Sequence, residues 1–102
     1  MAGNRNYISG RSFEYLTMRK LEKEGYTCSR MAGSHGVYDI IAWNHIQCRF
    51  IQVKKQNKPN ANIDSLYGDD VTKIKGERVP PNSSKELWVY TARKGYKIYK
   101  LD

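Results

Sequence analysis

The feature that most constrains the fold is a pair of apolar segments separated by a short polar connection. Val37–Trp43 is rich in β-branched and aromatic residues, and Ile46–Lys55 follows directly after Asn44-His45. Two such segments, joined so closely, predict an antiparallel hairpin. Because side chains alternate between the two faces of a strand, every second residue from Cys48 to Lys54 is expected on one face. The fold is therefore expected to contain a β-sheet built around this hairpin.

The segment before the hairpin predicts one helix and one strand. Apolar residues recur at near-helical spacing from Gly10 to Glu24, and Gly25 is placed to end the helix. Tyr26 to Met31 has the composition of a strand, and the two glycines within residues 32–36 permit tight turns after it. Residues 1–9 are expected to form a frayed N-terminus.

The segment after the hairpin is more polar. Residues 56–67 are rich in Asn and contain a proline, which predicts a loop long enough to have a functional role. Asp69 or Asp70 is expected to cap a short helix that runs to about Glu77. Leu87–Ala92 and Tyr96–Leu101 then predict a second hairpin.

The predicted order of elements is αβββαββ, which indicates the α/β class with an α+β mixed sheet flanked by helices. The chain has 102 residues and contains no repeat or linker, so residues 1–102 are expected to form one domain with a single modest core. No apolar run is long enough to span a membrane, and the first residues lack the apolar core of a signal peptide. We therefore expect a cytoplasmic protein without a membrane partner, in which Cys28 and Cys48 are reduced thiols.

The chain carries a large positive charge, with 18 Lys and Arg against 10 Asp and Glu and a net charge of +8. A field of this sign favours polyanions, above all nucleic acid. A basic surface that only confers solubility is the alternative, and charge by itself does not indicate an enzyme.

The hairpin also brings together residues that can carry out chemistry. In the antiparallel pairing, Asp39 can lie beside Gln52 and Lys54 on one face of the sheet. A carboxylate can hold Mg²⁺ against a phosphate, and a neighbouring lysine can orient the attacking water and offset negative charge. This combination is what the hydrolysis of a phosphodiester needs.

Residues 10–56 resemble the archaeal-type Holliday junction resolvases of the PD-(D/E)xK nuclease superfamily. The resemblance rests on a Glu-bearing first helix, an Ala-Gly-Ser loop, the sequence Asp-Ile-Ile-Ala and a following strand that ends in x-Lys. It implies a restriction-endonuclease-like core and a metal-dependent endonuclease that cuts branched DNA, with Mg²⁺ or Mn²⁺ and no small-molecule cofactor. The catalytic residues that it implies are Asp39, Gln52, Lys54, Glu14 and Ser34.

The position two before Lys54 departs from the commonest pattern of that superfamily, because Gln52 stands where a second metal-binding carboxylate is expected. An uncharged amide oxygen is a weaker ligand for Mg²⁺ than a carboxylate. We expect Asp39, Glu14, Gln52 and the backbone carbonyl of Val53 to surround the ion. A DNA-binding module of the same fold that has lost catalysis through Gln52 is the main alternative.

Further basic and polar side chains are expected to contact DNA, mostly at phosphates, which carry little sequence information. These are Arg11, Arg30, His35, Lys55, Lys58, Lys73, Lys75 and Arg78. A four-way junction presents two scissile phosphates related by symmetry, so a twofold homodimer is expected. Its apolar surface is expected from the aromatic residues of the last hairpin, namely Trp88, Tyr90, Tyr96 and Tyr99.

Three other functions are compatible with parts of the sequence. A nicking, flap or single-strand nuclease of the same superfamily would use the same catalytic residues on another DNA structure. An RNA-binding protein would account for the charge but not for the pairing of Asp39 with Lys54. A zinc site of Cys28, His35, His45 and Cys48 is disfavoured because the spacing lacks a close Cys-x-x-Cys pair.

Overall fold

Over the residues that the structure describes, two helices and five strands follow one another in the predicted order αβββαββ. The structure is a computed structural model that describes residues 10–31, 36–56 and 62–101, with only the backbone of residues 10–12. The elements are α1 (Gly10–Lys23), β1 (Thr27–Arg30), β2 (Ile40–Trp43), β3 (Cys48–Gln56), α2 (Ile63–Gly76), β4 (Ser83–Thr91) and β5 (Gly95–Lys100).

The strands form one mixed sheet in the order β1-β2-β3-β4-β5. Both predicted hairpins, β2–β3 and β4–β5, are present and antiparallel, and β1 pairs antiparallel with β2. The central pair, β3–β4, is parallel, so the chain must cross over between these two strands, and the crossover contains α2. The predicted α+β mixed sheet is therefore confirmed.

The two helices cover opposite faces of the sheet. Phe13 and Leu21 of α1 are buried against Ile51 and Val53 of β3 and Trp88 of β4. The other face is covered by α2, from which the buried residues Val71 and Ile74 pack with Leu87, Val89 and Leu101. Each face of the central strands is thus buried by one helix, and the polar side chains of β3 must lie near one helix or the other.

Helix α2 begins earlier than the sequence predicts. Its N-cap is Asn62, whose side-chain oxygen accepts a hydrogen bond from the backbone N–H of Ser65 at 3.1 Å. The predicted cap residues, Asp69 and Asp70, therefore lie inside the helix. A residue with non-helical torsions, Tyr67 (φ −121°, ψ 28°), interrupts the helix in its first half. Residues 56–67 are polar, rich in Asn and contain a proline, so their composition predicts a loop and hides the start of this helix.

Several strand boundaries differ from the prediction, and three strands begin more than one residue later or earlier than expected. Strand β2 begins at Ile40 rather than Val37, β3 at Cys48 rather than Ile46, and β4 at Ser83 rather than Leu87. The polar start of β4 is held in the sheet by β3, since Cys48 to Gln56 pair in register with Ser83 to Thr91.

The aromatic residues of the second hairpin contact the core to different extents. Trp88 is fully buried, with an exposed fraction of 0%, so the prediction that it contributes to a dimer surface is wrong. The rings of Tyr90 and Tyr96 lie 5.3 and 5.9 Å from the ring of Phe13, while Tyr99 packs against the cluster under α2. These three tyrosines are only partly buried, and their part in a dimer surface stays a prediction.

A buried polar network joins β3 to β4 on the α1 face. The guanidinium of Arg49 donates from Nε and Nη2 to the carboxylate of Glu86 at 2.9 and 2.8 Å. The indole N–H of Trp88 donates to the same carboxylate at 2.7 Å, and the hydroxyl of Ser84 donates to it as well. The ring of Tyr26 lies 5.1 Å from the guanidinium carbon. This network fixes the register of the parallel pair from which the candidate site is built.

Within the described ranges, neither helix is long and apolar enough to cross a membrane. Cys28 and Cys48 are free thiols, as predicted. Burial is the main cause that raises the pKa of both thiols, so neither has the lowered pKa of a reactive cysteine.

Candidate active site

The pairing of β2 with β3 brings the predicted acid next to the polar face of β3. Ile40 pairs with Ile51, and the backbone N–H of Asp39 donates to the carbonyl of Ile51 at 2.8 Å. Continuing this register by one residue places Asp39 opposite Gln52. Because directly opposed residues share a face, Asp39, Gln52 and Lys54 lie on the same side of the sheet.

That side is the one covered by α2. Gln52 of β3 pairs with Leu87 of β4, and Lys54 pairs with Val89 of the same strand. Both partners belong to the hydrophobic cluster that α2 covers. The predicted acid, amide and lysine therefore lie at the edge of the α2 face, where the apolar packing under the helix ends.

The carboxylate of Asp39 is held by the backbone of β3. Its Oδ2 accepts a hydrogen bond from the N–H of Val53 at 2.9 Å. Burial raises the pKa of Asp39 and outweighs the opposing effects of the Val53 hydrogen bond and the Lys54 charge, while the charges of Glu14 and Asp70 raise it further. A carboxylate in this position gains from a cation beside it, since a cation offsets both the burial and the two neighbouring negative charges.

Lys54 pairs with a carboxylate that sequence reasoning did not place in the site. Its Nζ lies 3.5 Å from Oδ2 of Asp70, and the two side chains are 35% and 25% exposed. The spacing held a signal for this placement: Asp70 precedes the fully buried Ile74 by four residues, and such residues lie on one face of a helix.

The side-chain oxygen of Gln52 is buried without a hydrogen-bond partner among the described residues. An unpaired acceptor of this kind costs about 1–3 kcal/mol, so it indicates either strain or a missing ligand. Gln52 also lines a cleft of about 500 Å³ between β3 and α2. The other lining residues are Gly36, Val37, Asp70, Lys73, Gly76 and Glu77.

Glu14 approaches the site from the other helix. Its Oε1 accepts from Nη1 of Arg30 at 3.2 Å, and both side chains are largely buried, at 20% and 19% exposed. Its charge is one of the causes that raise the pKa of Asp39, but its direct partner is Arg30. The structure thus groups Asp39, Gln52 and Lys54, and the metal-facing role of Glu14 stays a prediction. The predicted role of the Val53 carbonyl as a ligand stays a prediction.

The predicted DNA-binding residues are distributed over several elements. Exposed side chains belong to Lys55, Lys73, Lys75 and Arg78, of which Lys73 also lines the cleft. Arg30 is engaged with Glu14 rather than fully exposed. Four of the predicted site residues fall outside the described residues or side chains: Arg11, Ser34, His35 and Lys58.

Comparison with known proteins gives a structural match without a sequence match. No family model matches the chain, and no curated protein matches it significantly. Among solved structures, Hjc from Archaeoglobus fulgidus, described as a Holliday junction resolvase from an archaeal hyperthermophile, superposes with a TM-score of 0.70. The two chains are 21% identical over 89% of this chain and 71% of Hjc. The chain has a restriction-endonuclease-like fold. At this identity the likeness establishes the architecture, and what the site does must be argued from its residues.

Proposed function

We propose that the chain is a metal-dependent endonuclease that hydrolyses phosphodiester bonds in branched DNA, as a Holliday junction resolvase does. The observation that carries this proposal is the grouping of Asp39, Gln52 and Lys54 on one face of a sheet with the restriction-endonuclease-like fold. Asp39 and Gln52 supply oxygen ligands, and Lys54 supplies a positive charge beside them. The fold of Hjc supports the same class of reaction.

The residues of the site fit a hard divalent cation such as Mg²⁺ or Mn²⁺. The carboxylate of Asp39 and the unpaired Oε1 of Gln52 are the oxygen donors that such ions prefer. Within the described ranges, no three His, Cys, Asp or Glu side chains gather as a metal site, so the Gln52 amide would be a needed part of the ligand set. When bound, the cation supplies Lewis-acid stabilisation of the negative charge that builds up on the phosphate.

The side chains of the chain itself would orient the reactants. The hydrogen bond from the N–H of Val53 holds the carboxylate of Asp39 against β3, at the start of β2. Lys54, only partly exposed, can donate to a water or to a phosphate oxygen once its contact with Asp70 is loosened. Burial around the carboxylate strengthens each of these interactions relative to water.

The surface around the site fits a polyanionic substrate. The net charge is +8, and Lys73 lines the cleft beside Gln52 while Lys55, Lys75 and Arg78 are exposed nearby in the chain. Contacts from such residues fall on phosphates and favour recognition of DNA shape over sequence. One site per chain and two cuts per junction make a twofold homodimer the expected working form.

The test is a cleavage assay on labelled four-way junction, flap, linear duplex and single-stranded DNA, in Mg²⁺, in Mn²⁺ and in EDTA. Wild type is compared with Lys54→Ala and with a control, Lys97→Ala, which removes an exposed lysine of β5. We expect symmetric junction cleavage that requires metal, is abolished by Lys54→Ala and is retained by Lys97→Ala. Cleavage of another DNA structure would keep the active site and change the substrate. Tight binding without cleavage in either metal would refute the enzyme and favour the silent DNA-binding module.

A further inference from the structure

The candidate site has an amide at position 52, where a second metal-binding carboxylate is expected. A divalent cation beside a phosphodiester is held most firmly by more than one carboxylate, and the amide of Gln52 supplies no charge. Glu14 is bound to Arg30 and belongs to the helix on the opposite face from Gln52. A second carboxylate on the face of Gln52 must therefore come from another element.

Asp70 is positioned to supply that carboxylate. Helix α2 covers the face that carries Gln52 and Lys54, and both Gln52 and Asp70 line the same cleft of about 500 Å³. The carboxylate of Asp70 reaches Lys54 at 3.5 Å, which shows that its side chain is directed toward the end of β3.

The kind of partner that Asp70 has in the structure fits this role. The contact of Asp70 with Lys54 is longer and more exposed than the pair of Glu86 with Arg49, which lies at 2.8 Å, and partly exposed pairs of this type stabilise a fold little. A cation entering between Asp39 and Asp70 would lose little by separating Asp70 from Lys54, and it would leave the lysine available for the phosphate.

We propose that Asp70 replaces the carboxylate missing at position 52, so that a divalent cation binds between Asp39 and Asp70 with the side-chain oxygen of Gln52 as a further ligand. The inference rests on the proposed function, since it names the residue that completes the metal site of that reaction. In this arrangement the acidic ligand comes from α2 on the far side of the cleft instead of from β3, and ion binding ties the helix to the sheet. With the ion bound, Lys54 would leave Asp70 and contact the substrate instead.

The test measures Mn²⁺ binding to the whole protein without DNA, by titration with detection of free Mn²⁺ by electron paramagnetic resonance. Asp70→Asn is compared with Asp69→Asn, which removes the same charge from the neighbouring, exposed position of the same helix. We expect Asp70→Asn to weaken Mn²⁺ binding by at least about tenfold, the scale seen when groups that support a metal site are lost. Asp69→Asn is expected to change it little. Thermal melts of both variants check that the fold is retained.

A second variant tests the replacement itself. Gln52→Glu restores a carboxylate on β3, so we expect the double variant Asp70→Asn/Gln52→Glu to regain most of the lost affinity. If Asp70 had only a structural role, Gln52→Glu would not restore the Mn²⁺ affinity of the Asp70→Asn variant.

The outcomes separate this inference from the proposed function. Equal Mn²⁺ binding by Asp70→Asn and Asp69→Asn overturns the role of Asp70, and so does the absence of rescue by Gln52→Glu. Wild-type protein that binds no Mn²⁺ also overturns it. In each of these cases metal-dependent junction cleavage by the wild type would leave the proposed function standing. Conversely, Mn²⁺ binding that depends on Asp70 in a protein that cleaves no DNA would support the metal site and refute the nuclease.

Discussion

Removing the charge of Glu86 is expected to destabilise the fold more than almost any other isosteric change in the described core. Glu86→Gln leaves the shape of the side chain almost unchanged but deprives Arg49 of its counter-ion. Glu86 is 0% exposed and the side chain of Arg49 is 11% exposed, so neither charge can be solvated in place. Breaking a buried pair of this kind costs about 3–5 kcal/mol.

The structure indicates the lower end of that range, about 3 kcal/mol, because the amide oxygen of Gln can still accept one hydrogen bond from Arg49 and the rings of Tyr26 and Trp88 still flank the guanidinium. A loss of this size is a large fraction of the total stability of a small domain, which is of the order of 5–15 kcal/mol.

The assay is urea unfolding at neutral pH of wild type, Glu86→Gln, Arg49→Met and the double variant. Since the double variant removes both charges, its cost should be well below the sum of the two single costs. Additive single effects, or a Glu86→Gln cost below about 1 kcal/mol, would refute the view that this pair holds β3 to β4 as a coupled buried unit.

Lowering the pH should protonate the carboxylate of Glu86 and weaken its pair with Arg49. Although burial alone would raise the pKa of Glu86, the hydrogen bonds from Arg49, Ser84 and Trp88 and the charge of Arg49 lower it overall. Stability contributed by a lowered pKa is fully present above the unfolded value and is lost as the pH falls through the folded one. The stability difference between wild type and Glu86→Gln should therefore shrink in that acidic range, and a difference that stayed constant down to strongly acidic pH would contradict this reading.

Four further substitutions test other parts of the structure. Asp39→Asn should raise the melting temperature at neutral pH and less so at acid pH, because the raised pKa means that the ionised carboxylate is less favourable in the fold than in the unfolded chain. Gly25→Ala should destabilise by about 1 kcal/mol, since φ is +96° there, whereas Gly68→Ala in α2 should stabilise by about 0.5–1 kcal/mol; denaturant unfolding measures both. Lys73→Ala should reduce the salt dependence of log K for junction DNA by about 0.9, and Lys97→Ala should not; filter binding at several salt concentrations compares them.

The central hairpin and its site were predictable because they rest on local information. The connection is four residues long, 44–47, instead of the predicted Asn44-His45, but it is short enough to make the pairing antiparallel, and the period of two then assigns Gln52 and Lys54 to one face. Once Asp39 is placed at the start of the neighbouring strand, the grouping of the three side chains follows from the pairing alone. No knowledge of the helices is needed.

What the sequence did not predict depends on contacts between distant segments. The spacing from Asp70 to Ile74 places both residues on one face of a helix, but only the position of α2 over β3 shows that the carboxylate of Asp70 reaches Lys54. The start of α2 was missed although Asn62 and Asp64 are typical of a helix N-terminus, since the segment that follows is polar. Glu86 reads as a surface residue until its partner Arg49 is brought alongside by the parallel pairing of β3 with β4.

The two polar clusters of β3 differ in a way that distinguishes structure from function. On the α1 face, the carboxylate of Glu86 accepts hydrogen bonds from three side chains, and its pKa is lowered. On the α2 face, the carboxylate of Asp39 has a raised pKa, and the oxygen of Gln52 has no partner among the described residues.

A buried polar group is retained either because it is satisfied within the fold or because something outside the fold satisfies it. The first explanation accounts for Glu86, whose loss should therefore affect folding. The second explanation fits the cluster of Asp39 and Gln52, which costs stability and lies beside a cleft lined by Asp70, Lys73 and Glu77. A cation and a phosphate together would supply what this cluster lacks, and for that reason substitutions there should affect metal binding and cleavage more than folding.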